Sequence, residues 1–387
     1  MDLILEWLVI VVAIGIGWWL GSLQRKTQVH VEAAPRKHRY PKAFHYLFDA
    51  YDSPTLDSFI QTLPVNRDTI HLHLALANYF RRKGEIEKST AIHQSLLSHP
   101  EARTTFTDRI TFELAQDYMA AGLYDRAESL FLELSLSREW KESAVDQLLE
   151  IYEHEKDWGI ARDKALILDL KRNRKTQVRV AHYCCEMAER ALRRQDLGEA
   201  RHLLKEALGY DRYSVRVSLL TARLLMLQEA WDEALTELKR LEQQDALFLV
   251  EAIPLIQEAC AKLGDPQKRL RILQRIWGLQ PSSRTMVALA LAIAEASGNN
   301  NEAIEFLLGQ LDEHPTLGGV RALLTLLMPF AEAEPQRWIQ IIKGVLDSLL
   351  EKSQAYCCTQ CGFSGRQMHW QCPSCKSWST IKPVPWS

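Results

Sequence analysis

The chain has 387 residues, 47% of them apolar and 25% charged, with a formal net charge of −2. That composition excludes a disordered chain, and the near-zero charge excludes attraction of the whole molecule to nucleic acid or anionic lipid. Any such contact must come from a local patch. Taken in chain order, the first element is Trp7 to Leu23, "WLVIVVAIGIGWWLGSL", which carries no charge and is extended past Glu6 by Leu3 to Leu5. At about 1.5 Å per residue these lengths reach roughly 26 to 31 Å, enough for one span of a hydrocarbon core of about 30 Å. Asp2 and Glu6 stand where a cleaved signal peptide would carry basic residues, and Trp18, Trp19 and Leu20 fill the end where it would carry small ones. The reading is a transmembrane anchor over 1–23. Basic residues gather only after it (Arg25, Lys26, Arg36, Lys37, Arg39, Lys42), which places the bulk of the chain on the cytoplasmic side of the membrane. Gly17 and Gly21 have the small-xxx-small spacing that lets two membrane helices approach, so a homodimer is open; glycine is also simply common in such helices.

Residues 24–42 form a linker with Pro35, Pro41 and the cluster "RKHRYPK", which is either a topology signal or a contact for anionic headgroups, or both. From 43 to 352 the sequence is nearly continuous amphipathic helix with regular turn signals. A turn step, an aromatic or apolar residue and a small residue recur at Ser89, Ala127, Ala161, Ala200, Ala234, Arg269 and Ala303, with offsets of 38, 34, 39, 34, 35 and 34. This is the period of tetratricopeptide repeats with two insertions. Two helices per repeat cross closely only where one is small, and Ala77, Ala115, Ala188 and Ala222 supply the matching small residue in four first helices. The fold class is therefore all-α, a superhelical repeat solenoid of about seven units, with a degenerate pair at 43–63 and two terminal helices. Arg269 and Pro266 make the sixth unit the weakest, as a bend or a decayed copy.

No catalytic constellation of the GxSxG, Walker, HExxH or dinucleotide type occurs in the helical body. His71 and His73 sit on different faces of one helix and make no metal pair. Cys184, Cys185 and Cys260 read as small core residues, and Glu153 with Glu155, or Asp232 with Glu233, as solvated helix faces. A stack of this kind binds rather than reacts. The chain is read as a non-enzyme.

The tail, 353–387, holds five of the eight cysteines. Cys358-x2-Cys361 and Cys372-x2-Cys375 are two knuckles of the kind that place four sulfurs around one structural metal ion. Zinc is the default occupant, with iron the alternative, and four protein ligands leave no open coordination position. Cys357 is spare, though a Cys357-x3-Cys361 knuckle is conceivable, and His369 is a substitute ligand of lower rank. So short a segment cannot bury enough surface to fold alone, so the ion must order it. Phe363, Trp370, Trp378, Ile381 and Trp386 exceed what the knuckle can hide, so some of them are expected to dock on the last helices of the array. Stacking on nucleic acid is the lesser alternative, resting only on Arg366, Lys376 and Lys382 beside the aromatics, and no nucleic-acid partner is expected.

An anchor, a repeat array and a terminal two-knuckle ribbon, in that order, resemble the lipopolysaccharide assembly protein B family. The segments "ANYFRRKGEIEKSTAIHQSLL" (77–97), "QDYMAAGLYDRAESLFLEL" (116–134), "LLEIYEHEKDW" (148–158), "EARHLLKEAL" (199–208) and "CPSCKSWSTIKP" carry the likeness, which covers essentially the whole chain. The doubled Cys357-Cys358 and the degraded first repeat depart from it. The resemblance implies a rubredoxin-like metal domain and an adaptor at the cytoplasmic face of the inner membrane. Such an adaptor presents the lipid A deacetylase LpxC to the protease FtsH and is restrained by a membrane protein that senses lipopolysaccharide. A general scaffold for lipopolysaccharide synthesis or transport enzymes, with no part in proteolysis, would share every feature.

Overall fold

The computed structural model describes residues 62–386 and Ser58, apart from residues 104–105, 169 and 171–172. The anchor, the basic linker and nearly all of the degenerate pair expected at 43–63 lie outside the described residues. Among the described residues no helix is long and apolar enough to cross a membrane.

Helices α1 (Ile70–Lys83) and α2 (Ile86–Ser98) form the first pair, followed by α3 (Thr107–Ala120) and α4 (Tyr124–Leu134), then α5 (Lys141–Glu155) and α6 (Trp158–Ala165). The series continues with α7 (Arg174–Arg193) and α8 (Leu197–Tyr210), α9 (Val215–Leu227) and α10 (Trp231–Lys239), and α11 (Leu249–Leu263) and α12 (Pro266–Leu279). It closes with α13 (Ser283–Ser297) and α14 (Asn300–Glu313), then α15 (Leu317–Leu327) and α16 (Ala333–Leu350). The two insertions in the period differ in origin. The first lies in the α2–α3 connection, which takes eight residues, 99–106, where α8 connects to α9 by four; the second comes with α7, which is 20 residues long where α9 has 13.

Each of the first seven pairs turns through one residue in the left-handed region: Gly84, Gly122, Lys156, Gln195, Glu229, Gly264 and Gly298, with φ between 59° and 84°. Each lies five positions before the repeat's small residue, so backbone and side-chain periods coincide. Four of the seven are glycine, for which this region carries no Cβ penalty; Lys156, Gln195 and Glu229 each bear a cost of about 1–2 kcal/mol. The small residues are fully buried, Ser89, Ala127, Ala161, Ala200, Ala234 and Ala303 at 0% exposure. Arg269 is the exception, held in the crossing by an ion pair to Glu295. Pro266 neither bends nor interrupts the unit. It is the first residue of α12, where its missing N–H costs nothing, and the Asp265 carboxylate caps the helix from the Lys268 amide at 2.7 Å.

The chain forms two compact units, one ending at Leu130 and one beginning at Phe131. In the first, Ile70, Leu74, Leu76, Phe80, Leu96 and Ile110 form the core. Asp117 is wholly buried there, accepting from Ser89 Oγ at 2.7 Å and Arg81 Nη1 at 2.9 Å and pairing with His93 Nδ1 at 2.6 Å. A buried carboxylate survives only with such compensation.

In the second unit the helical core runs continuously from Val215 to Ala292 and also touches Met368 and Trp370 of the tail. The tail is a three-stranded antiparallel sheet, β1 (Tyr356–Cys358), β2 (Ser364–Gly365) and β3 (Ile381–Pro383), in the order β2-β1-β3. The molecule is thus mostly helical rather than all-α, because the turns that converge four thiols are carried on extended strands.

Candidate metal centre and its docking surface

The two knuckles are near copies. In the first, the Gly362 amide donates to the Cys358 carbonyl at 3.0 Å; in the second, the Lys376 amide donates to the Cys372 carbonyl at 2.9 Å. Gly362 and Lys376 both have positive φ, 77° and 57°, so the chain reverses at the same place after each second cysteine. The four Sγ atoms of Cys358, Cys361, Cys372 and Cys375 lie within 4.8 Å of one another. Across the knuckles, Cys358 Sγ is 3.8 Å from Cys375 Sγ and Cys361 Sγ is 3.7 Å from Cys372 Sγ. A tetrahedral ion with metal–sulfur bonds of about 2.3 Å requires sulfur–sulfur edges of about 3.8 Å, so the donor set fits a closed four-thiolate site. Strand alternation decides which of the doubled cysteines belongs: Tyr356 and Cys358 point inward from β1 and Cys357 does not. Neither Cys357 nor His369 is in the cluster.

The thiols differ electrostatically. Burial opposes ionisation of Cys358, but the Thr380 hydroxyl, 3.3 Å away, and the Cys361 and Gln360 amides outweigh it and bring the thiol down to about 6. Burial pushes Cys372 up to about 11 against the pull of the Cys375 and Ser374 amides. The Ser377 amide leads the lowering at Cys375. A bound cation would hold all four as thiolates. The array cysteines are the opposite case: burial raises Cys184 and Cys260 and pushes Cys185 up to about 12, leaving inert core thiols.

The ribbon lies on the first helices of successive repeats. Trp378 donates from Nε1 to Glu153 Oε1 on α5 at 2.9 Å, while its ring stacks on His182 of α7 at 4.8 Å and meets Trp158 and Tyr183 edge-on. Gln371 donates to the other Glu153 oxygen at 2.8 Å. Within the array the same carboxylate accepts from Arg179 Nε at 2.9 Å and Tyr183 Oη at 2.5 Å. Burial lifts the Tyr183 phenol well above its ordinary value, so it stays a donor. Trp370 stacks on Phe248 at 5.6 Å with the Arg216 guanidinium 5.5 Å from its ring. Further along, Tyr356 Oη donates to Glu251 of α11 at 2.8 Å, and Lys382 pairs with Asp245 at 2.5 Å. Trp386 ends the series, stacked on His314 at 4.3 Å and edge-on to Trp277, while the Pro385 carbonyl accepts from the Ser283 amide at 2.8 Å.

Two expectations are corrected by this surface. Docking occurs, but from α5 to α14 rather than on the last helices, because the aromatic recesses lie between first helices in mid-array. Glu153 is no solvated face residue: it is 8% exposed and is the hub of the contact. Of the tail aromatics considered for nucleic-acid stacking, Trp370, Trp378 and Trp386 are turned onto the array, while Phe363 packs in the ribbon's own core. Glu153, Arg179, His182 and Arg216 went unread as functional residues. The available signal was phase, since each is a polar residue on the buried side of a first helix, where apolar residues are the rule.

Residues 356–383 match the family model described as a rubredoxin metal binding domain, and residues 191–259 match a tetratricopeptide repeat model. Lipopolysaccharide assembly protein B of Escherichia coli (strain K12) is 31% identical over 384 residues, covering 98% of this chain and 98% of its own length. The chain belongs to the lipopolysaccharide assembly protein B family. Lipopolysaccharide assembly protein B of Haemophilus influenzae (strain ATCC 51907 / DSM 11121 / KW20 / Rd) is 27% identical, again over 98% of both chains. Among solved structures, a tetratricopeptide repeat protein from Parabacteroides merdae ATCC 43184 is similar at 12% identity and a TM-score of 0.34, covering 67% of this chain and 99% of that one. For a member of the lipopolysaccharide assembly protein B family, the ribbon and the repeats are thus the two recognisable modules, and here Glu153 joins them.

Proposed function

We propose that the chain acts in lipopolysaccharide assembly as an adaptor anchored in the inner membrane, with its array and ribbon in the cytoplasm, presenting the deacetylase LpxC to the protease FtsH under the restraint of a lipopolysaccharide-sensing membrane protein. Full-length kinship with the lipopolysaccharide assembly protein B family carries this reading. Physical features support its parts. The uncharged run at 7–23 followed by basic residues suits an anchor with the bulk inside. Confining adaptor and protease to one plane raises their effective concentration without new contacts, and the groove offers a surface for the client. The ion, zinc in our reading, would be held by Cys358, Cys361, Cys372 and Cys375; when bound it supplies folding free energy rather than Lewis-acid chemistry, since four thiolates close its shell. The protein's own residues then turn the ribbon into part of the binding platform through Trp378, Trp370 and Trp386.

The experiment is depletion in cells with rescue by full-length, anchor-deleted and Cys358→Ser/Cys361→Ser forms, following deacetylase lifetime. Depletion should lengthen that lifetime, and only the full-length form should restore it. An unchanged lifetime on depletion would favour the general scaffold, and full rescue by the anchor-deleted form would remove co-localisation from the mechanism. Elemental analysis of purified protein should return one zinc per chain; the visible charge-transfer absorption of an iron–thiolate site would replace zinc with iron.

A further inference from the structure

Helix α16 departs from the rest of the array. Of its eighteen residues only Leu346 is buried, while Trp338, Ile341, Ile342, Val345 and Leu349 are 57, 50, 48, 56 and 45% exposed. At about 100° per residue these five share one stripe roughly 100° wide, the pattern of a helix face that packs against another element. The order of the stripe is palindromic. Trp338, Ile342, Val345 and Leu349 are separated by intervals of four, three and four, so a second copy of the same helix laid antiparallel sets Trp338 opposite Leu349 and Ile342 opposite Val345, twice. A twofold interface requires such self-complementarity. The exposed apolar area of two copies is on the order of 1,000 Å², the threshold for a specific interface. Lipid is the poorer match. From Glu334 to Lys352 the segment carries Arg337, Lys343 and Lys352 against Glu334, Asp347 and Glu351, and this balance lacks the basic excess of helices that lie on anionic bilayers.

We propose that the palindromic apolar face of α16 pairs antiparallel with the same face of a second copy of this chain.

The test uses the full-length chain in detergent micelles. A photo-crosslinking benzoylphenylalanine at position 345 should give a dimer-sized adduct, and one at position 340, on the other side of the helix, should not. Ile342→Glu/Val345→Glu should weaken self-association in sedimentation at least tenfold with an unchanged unfolding temperature, since both side chains are half exposed in the single copy. A wild-type mass of one chain, equal adducts from both positions, adducts to lipid, or a dimer undisturbed by the double substitution would each overturn the proposal.

Discussion

Two buried carboxylates, one in each compact unit, solve the same problem differently. Asp117 draws its donors, Ser89, Arg81 and His93, from neighbouring helices of its own repeats. Glu153 takes two from the array, Arg179 and Tyr183, and two from the ribbon, Gln371 and Trp378. Asp117 is therefore compensated as soon as the helices pack. Glu153 is fully compensated only when a metal-ordered segment more than two hundred residues away is in place, which makes it a latch rather than a strut.

The largest break in this comparison should come from the metal. Chelation, or Cys358→Ser/Cys361→Ser, removes about 10–16 kcal/mol of ordering free energy. Hydrogen exchange should then lose protection over 356–386 and rise along α7, while the amides around Asp117 keep theirs. Next comes the latch. Trp378→Ala should cost about 3–5 kcal/mol of ribbon attachment, as for other buried aromatic truncations, read as earlier release in urea by tryptophan fluorescence. Glu153→Ala, which leaves Arg179 only its pair with Asp146 and removes the acceptor of Tyr183 and Trp378, belongs in the same range of about 3–5 kcal/mol. A double cycle sharpens the contrast: the Glu153→Ala and Cys358→Ser/Cys361→Ser effects should be strongly non-additive, whereas Asp117→Ala and the cysteine pair should add.

The repeat period, the turn positions and the four clustered thiols were legible in the sequence because each obeys a local rule: a steric crossing every 34 residues, a left-handed turn five residues earlier, two cysteines three apart. The docking surface was not. Trp378 and Glu153 are 225 positions apart, and no periodicity links an indole to a carboxylate across that distance. Local rules also misled where a residue had two uses. Pro266 looked like an interruption and is a helix start; Glu153 looked like one of a solvated pair and is a buried hub. At Lys156, Gln195 and Glu229 the turn was legible but its left-handed conformation, which glycine would have announced, was not.

Smaller effects refine the picture. His182, stacked on Trp378 and 2.6 Å from Ser379 Oγ, is held well below its ordinary pKa by burial, with the Arg216 guanidinium adding to the shift. Below about pH 6.5 the unfolded imidazole takes a proton that the folded one refuses. Stability at the latch should thus be intact above that value and fall as pH drops through it, and His182→Gln should flatten the dependence. Smallest of all, Lys156→Gly should raise the melting temperature through a gain of about 1 kcal/mol, by relieving a left-handed lysine.

The order of the chain, array first and ribbon after it, has a consequence for synthesis. A ribosome delivers the helices, with their aromatic recesses, before Trp370, Trp378 and Trp386 have left the exit tunnel. Until the ribbon emerges those recesses stay bare, and a message cut short upstream of Trp370 yields a stack whose turns are sound but whose sticky pockets stay open. Arrival of the ribbon is thereby written into the surface chemistry of the array.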